Sequence, residues 1–116
     1  MSLFPASSGS GKTYTYYSNS YTSGTAINCG FLADKAWVYL NVDSNTRTLM
    51  FEVDFTTNTM LVNYLYSGSA HRDSINSLNY NNGYFIASRN STSVTFSATS
   101  GTYFSSGFID VVVWKE

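Results

Sequence analysis

Glu52 and Asp54 lie two apart in the alternating stretch Met50-Phe51-Glu52-Val53-Asp54-Phe55. On a β-strand that spacing puts both carboxylates on one face, roughly 6–7 Å apart. Two carboxyl groups at such a distance could flank a glycosidic bond. A glycosidase pair normally comes from different strands across a cleft, however, and two acids on a solvent face need no catalytic role. His71-Arg72-Asp73 is the only cluster with a histidine. It reads as an exposed polar loop with a local Arg–Asp pair. A Ser-His-Asp triad assembles in space rather than in sequence, but no serine here sits in a Gly-x-Ser-x-Gly elbow, and Gly68-Ser69-Ala70 lacks that pattern. Cys29 is the only cysteine. It cannot close an intrachain disulfide or anchor a multi-cysteine zinc site, and it reads as a small buried apolar residue. No Asp-x-Asp-x-Asp calcium loop is present. No catalytic residue, metal or cofactor is assigned.

The string Ala6-Ser7-Ser8-Gly9-Ser10-Gly11-Lys12-Thr13 fits a relaxed phosphate-loop pattern. That chemistry needs a buried strand before the loop and a helix after it, so that backbone N–H groups face the phosphates. Only five residues precede the match, one of them Pro5, and strand-like Thr13-Tyr14-Thr15-Tyr16-Tyr17 follows. Residues 6–12 read instead as a Ser/Gly linker. Residues 1–12 are taken as an arm, and 13–116 as one domain. Met1–Ser8 has neither the basic nor the apolar region of a signal peptide, and no apolar run approaches the ~20 residues of a membrane helix. Asn90-Ser91-Thr92 is a glycosylation sequon, meaningful only in a eukaryotic secretory protein.

The elements that must position any site are strands. Ala36, Val38, Leu40 and Val42 alternate with Trp37, Tyr39, Asn41 and Asp43. Phe51, Val53 and Phe55 alternate with Met50, Glu52 and Asp54, and Val94, Phe96 and Ala98 with Ser93, Thr95 and Ser97. Side chains along a strand point to opposite faces, so each apolar set marks a core face. Thr59–Tyr66 and Gly107–Lys115 are apolar on both faces. Residues 43–46 and 56–58 link consecutive strands, and Asn81-Asn82-Gly83 between Tyr80 and Tyr84 is a hairpin signal of the type I′ kind. Only Ser74–Leu78, with Ile75 and Leu78 three apart, suggests a helical turn. Seven to eight short strands without a crossover helix predict an all-β fold, an antiparallel β-sandwich or jelly roll.

Composition then narrows the function. Ser, Thr, Asn and Tyr make up 53 of the 116 residues, whereas charged residues make up 11% and the net charge is −1. The six Lys and Arg are scattered, so no basic stripe exists to track a phosphate backbone, and no nucleic-acid partner is expected. Nor is membrane insertion. Hydroxyls, amides and aromatic rings are the groups that bind neutral, hydroxyl-rich surfaces. Two aromatic sets stand out. Trp37 and Tyr39 face away from the core set on their strand, as do Phe108, Val112 and Trp114 on theirs. Such a face needs a cover, which could be a loop of the same chain, another subunit or a ligand. Trp37, Phe108 and Trp114 are therefore the expected oligomer-interface residues. Tyr80, Asn82, Tyr84 and Tyr103 lie near turns. Tyrosine rings present an apolar body with a polar tip, so these four are the expected ligand-binding residues.

The Ser/Thr/Asn/Tyr-rich body over residues 13–106, the Ser/Gly-rich stretch at 6–12 and the hydrophobic strand Phe108–Glu116 together resemble the tip domain of a bacteriophage tail fibre or receptor-binding protein. The resemblance is one of composition and carries no motif. It implies a sandwich or jelly roll, a homo-oligomer with a trimer favoured, a cell-surface glycan or protein receptor as partner, and a virion or extracellular location. The same texture also resembles carbohydrate-binding modules and minor virion proteins. The first expectation is thus a non-enzymatic receptor-binding module that stacks loop tyrosines on sugars. The second is a structural fibre or baseplate component, and glycoside hydrolysis is the third.

Overall fold

Ten strands build two antiparallel sheets in the computed structural model, which describes residues 13–43, 47–66, 68–99 and 106–116. The strands are β1 (Thr13–Thr22), β2 (Ala26–Asn28), β3 (Lys35–Asp43), β4 (Arg47–Asp54), β5 (Thr59–Tyr66), β6 (Ser69–Ile75), β7 (Asn79–Tyr80), β8 (Phe85–Arg89), β9 (Ser93–Ser97) and β10 (Ser106–Lys115). One sheet has the order β1-β10-β3-β4-β5-β6, the other β2-β9-β8-β7. The fold is a β-sandwich. It has more strands than the expected seven to eight because β2, β6 and β7 lack the apolar alternation that marks a strand in sequence. β2 and β7 have three and two residues, and six of the seven residues of β6 are exposed.

The alternating sets fill the space between the sheets. Ala36, Val38 and Leu40 of β3 are buried, as are Phe51 and Val53 of β4, with Phe55 just beyond it. Ile109, Val111 and Val113 of β10 and Val94 and Phe96 of β9 join the same core. Phe51 of β4 stacks on Phe85 of β8, ring centroids 3.8 Å apart and 6° from parallel, and Phe85 lies 5.6 Å from Phe96. Stacked rings of this kind fill the space between the sheets with large apolar surface. Tyr21 of β1 reaches across, its hydroxyl donating to the Phe96 carbonyl at 3.1 Å. Burial pushes that phenol up to about 12.

Two local expectations change. Residues 71–73 are not a loop but the middle of β6, held by pairing with β5 through Tyr64↔His71, Asn63↔Arg72 and Val62↔Asp73. The chain from 74 to 78 is not helical: Ser74 and Ile75 complete β6 and a bend follows. The turn after β7 does use positive φ, at Asn81 (54°), Asn82 (56°) and Gly83 (92°). It is wider than a two-residue hairpin, because Tyr80 pairs with Phe85 and the Tyr84 N–H donates to the Tyr80 carbonyl at 3.0 Å. The Asn79 amide oxygen accepts from the Gly83 N–H and closes the loop from inside.

Candidate binding face

The six-stranded sheet has one face on the core and one facing away. Its register sets the residues of that outer face in rows. One row runs Tyr16, Val112, Trp37, Glu52, Leu61, Ser74 from β1 to β6, and the next runs Ser18, Asp110, Tyr39, Met50, Asn63, Arg72. Flanking rows bring Tyr14 beside Trp114 and Lys35, and Phe108 beside Asn41, Thr48 and Leu65. Phe108 is 67% exposed, Tyr16 61%, Leu65 45% and Tyr14 44%. Val112 alone among the described residues of this face is fully buried, yet it is no part of the inter-sheet core. Its register neighbours Tyr16 and Trp37, at cross-strand distances of roughly 5 Å, supply the cover.

Two open depressions mark this face. The first, about 440 Å³, is lined by Trp37 and Trp114 with Lys35, Glu52, Asp54, Leu61 and Ser74. The second, about 460 Å³, is lined by Tyr39, Met50, Asn63, Leu65 and Arg72, reaching Tyr64 and His71 at the β6 edge. The first is well braced. The Asp34 N–H donates to the Trp114 carbonyl and the Asp34 carboxylate accepts from the Glu116 N–H at 2.8 Å. Lys35 Nζ pairs with Glu116 at 2.9 Å, and that bond, assisted by Asp54 and Asp34, raises the ammonium above its usual range. Asp34 is in turn 3.8 Å from Arg89, whose guanidinium donates to the Ala33 carbonyl and lies over the Phe55 ring. The end of β10 is thereby tied to the start of β3 where Trp114 enters the face.

Glu52 and Asp54 do share the face, and Asp54 is tied to the turn that follows β4. Asp54 Oδ1 accepts from the Thr56 hydroxyl at 2.6 Å and from the Thr56 and Thr57 N–H groups. The Thr56 hydroxyl bond chiefly, with those N–H groups and Lys35, holds its carboxyl below the ordinary range. Asp54 is thus an ionised cap on the β4–β5 turn, with one carboxylate oxygen committed to that turn.

The expected ligand residues do not gather. Tyr80 is 8% exposed, its ring edge-on to Phe51 at 6.2 Å and to Tyr64 at 6.5 Å. Burial pushes its phenol up to about 12. Its faces belong to the core, so it offers no ring to a sugar. Tyr84 is half-buried and packs against the core, Asn82 is exposed on the turn, and Tyr103 lies outside the described residues. The expected interface residues Trp37, Phe108 and Trp114, by contrast, do share one face. Tyr14, Tyr16, Met50 and Leu61 join them, and their signal was available: each is the complement of a core set or lies in an alternating run. His71 stacks on Tyr64 at 4.6 Å on the core side of the sheet edge. Cys29 is half-buried, its thiol donating to the Phe31 and Thr92 carbonyls. The phosphate-loop string runs into β1, a strand where that chemistry needs a helix. Asn90 turns its side-chain oxygen onto the Thr92 and Ser93 N–H groups. Compared with protein-family models and with curated proteins, the chain matches none.

Proposed function

We propose that the chain is a non-enzymatic binding module that recognises cell-surface glycan, with the outer face of the six-stranded sheet as its contact surface rather than its loops. One observation carries this reading: Trp37 and Trp114 line a single open depression together with Glu52, Lys35 and Ser74. An aromatic ring has a negative face that attracts the C–H side of a sugar. A carboxylate, an ammonium and a hydroxyl beside it supply acceptors and donors for sugar hydroxyls, and charged partners make the stronger bonds. The depression is shallow, so a single site would bind weakly. Several copies on one oligomer would raise avidity by about 10²–10⁴ over one site. The compositional likeness to fibre tips is what suggests a viral receptor-binding or adhesion domain on a virion.

A glycan array probed with the chain displayed multivalently tests the proposal. The expected result is binding that falls at least about tenfold, some 1.4 kcal/mol, in Trp37→Ala and Trp114→Ala variants that keep their folded spectrum. Absence of binding to every glycan, or binding indifferent to both variants, overturns it.

A second reading has its own observation. Phe108 is the most exposed large apolar side chain among the described residues and stands on the same face as Trp37 and Trp114. As a structural virion component, the chain would bury these three between subunits. Light scattering on Phe108→Ser separates the readings: loss of oligomer favours assembly, whereas unchanged mass with unchanged glycan binding favours the module.

A further inference from the structure

The two sheets have four edges, and three of them are blunted. β2 and β7 are too short, at three and two residues, to template another strand. β6 carries His71, Arg72 and Asp73 along an exposed edge. Short strands and charged residues are the ordinary means of keeping a sheet edge from pairing. β1 has neither. It is ten residues long, Thr-Tyr-Thr-Tyr-Tyr-Ser-Asn-Ser-Tyr-Thr, with no charge and no proline. Its register with β10 runs unbroken from Thr13↔Lys115 to Thr22↔Ser106, so no bulge turns it aside. Tyr and Thr are strong strand formers, and the strand extends about 34 Å.

The side of β1 that looks outward can be read from one hydrogen bond. The Ser20 N–H donates to the Asn19 side-chain oxygen at 2.8 Å, so it points away from β10. In an antiparallel strand alternate residues send N–H and C=O to the same side. Ser18, Tyr16 and Tyr14 therefore present their backbone groups to the open edge, and no other described strand pairs with them.

We infer that β1 is a self-pairing edge: two copies of this chain join β1 to β1 antiparallel across a two-fold axis, making one continuous twelve-stranded sheet. The occupant is a second copy because the strand is self-complementary. In any antiparallel register the seam brings together only Tyr, Ser, Thr and Asn, so no like charges oppose one another. A two-fold preserves faces, so the Tyr14 and Tyr16 rings of both copies stand on the same, outer side of the seam. Because β6 is charged, the extended sheet ends there on both sides, and the assembly closes at a dimer rather than growing into a filament. The inference stands apart from the saccharide reading, since it uses the sheet's edge and not its face. It would, however, set two copies of the Trp37–Trp114 depression on one surface.

Light scattering across micromolar concentrations, combined with amide hydrogen exchange on the full chain, tests it. The expected result is a dimer in which the Tyr14, Tyr16 and Ser18 amides are protected. Ser18→Pro removes one outward N–H and leaves the β1–β10 ladder intact, as proline is tolerated at a sheet edge. Ser18→Lys sets a charge at the seam and serves if the proline variant misfolds. Either variant should halve the mass and expose those amides while keeping the thermal midpoint of the diluted, monomeric wild type. Three results overturn the inference: a monomer at every concentration, including one whose β1 amides are protected by the chain's own residues; a trimer insensitive to both variants; or a dimer that folded Ser18→Lys leaves unchanged.

Discussion

The two faces of the six-stranded sheet are made from the same strands, one almost wholly apolar and the other mixing large aromatics with charged and polar residues, and they have different fates. On the inner face Val38, Phe51, Val62 and Val111 are wholly removed from solvent, because Phe85, Val94 and Phe96 of the second sheet close over them. On the outer face Trp37, Tyr39, Met50, Leu61 and Phe108 are as large and as apolar, and no described strand lies across them. Apolar character thus does not place a residue in the core; a second layer does. Large aromatic side chains left open together are the ground on which the proposed contact surface is placed. Aromatic and Met enrichment is the composition such surfaces share.

The sharpest way to break this comparison is truncation on each side. Phe51→Ala should cost about 3–5 kcal/mol, because it removes the ring stacked between the sheets at 3.8 Å from Phe85. Trp37→Ala, though it removes a larger ring, should cost less than half as much. Urea denaturation of the two variants measures both. Equal losses would mean that the outer face is covered in the free protein.

The next largest effect is alkaline. Tyr21 and Tyr80 belong to the inner side, and both phenols are pushed from 10.0 up to about 12, by burial first. Their stabilisation is fully present below the unfolded value near 10. It is lost as pH rises through 12, because the unfolded chain releases those protons first. Each should remove about 1.4 kcal/mol per pH unit in that window. Tyrosinate absorbance should show these two groups ionising together with unfolding, and Tyr21→Phe should flatten the slope. A slope unchanged in Tyr21→Phe would show that this phenol does not differ between the two states.

The smallest effect lies on the outer face. Asp54→Ala removes the acceptor of the Thr56 and Thr57 bonds and should cost less than about 1 kcal/mol, since exposed charged groups contribute little. The sign is opposite to that of the tyrosines. Its lowered carboxyl stabilises the fold above the ordinary value of 3.8, and the contribution fades as pH falls through the folded value. Thermal melts of wild type and Asp54→Ala should therefore converge on acidification. A constant gap would assign the turn to the threonines instead.

Much of this was legible in residues alone. Ala36, Val38 and Leu40, then Phe51, Val53 and Phe55, repeat with the period of a strand, and that period names the buried face without any partner. The complementary residues Trp37, Tyr39, Phe108 and Trp114 were legible in the same way. Their union was not, since it depends on β10 entering between β1 and β3, a pairing of residues 75 apart in Val112↔Trp37. Tyr80 was misplaced for a related reason. Its position beside an Asn-Gly turn suggested exposure, but packing against Phe51 and Tyr64, strands away, decides its burial. Residues 69–75 were hidden as a strand because an edge strand can be polar on both faces when pairing with one neighbour holds it.

Local order, then, was settled by the sequence for the apolar strands: that they extend, which side of each is apolar, and that the chain is poor in charge and rich in hydroxyls and rings. These follow from side-chain alternation and turn chemistry within a few residues. Only the tertiary structure decided which apolar side is covered, which rings share a surface, and which edge is left open. Those depend on contacts between distant segments, and no periodicity within a segment encodes them.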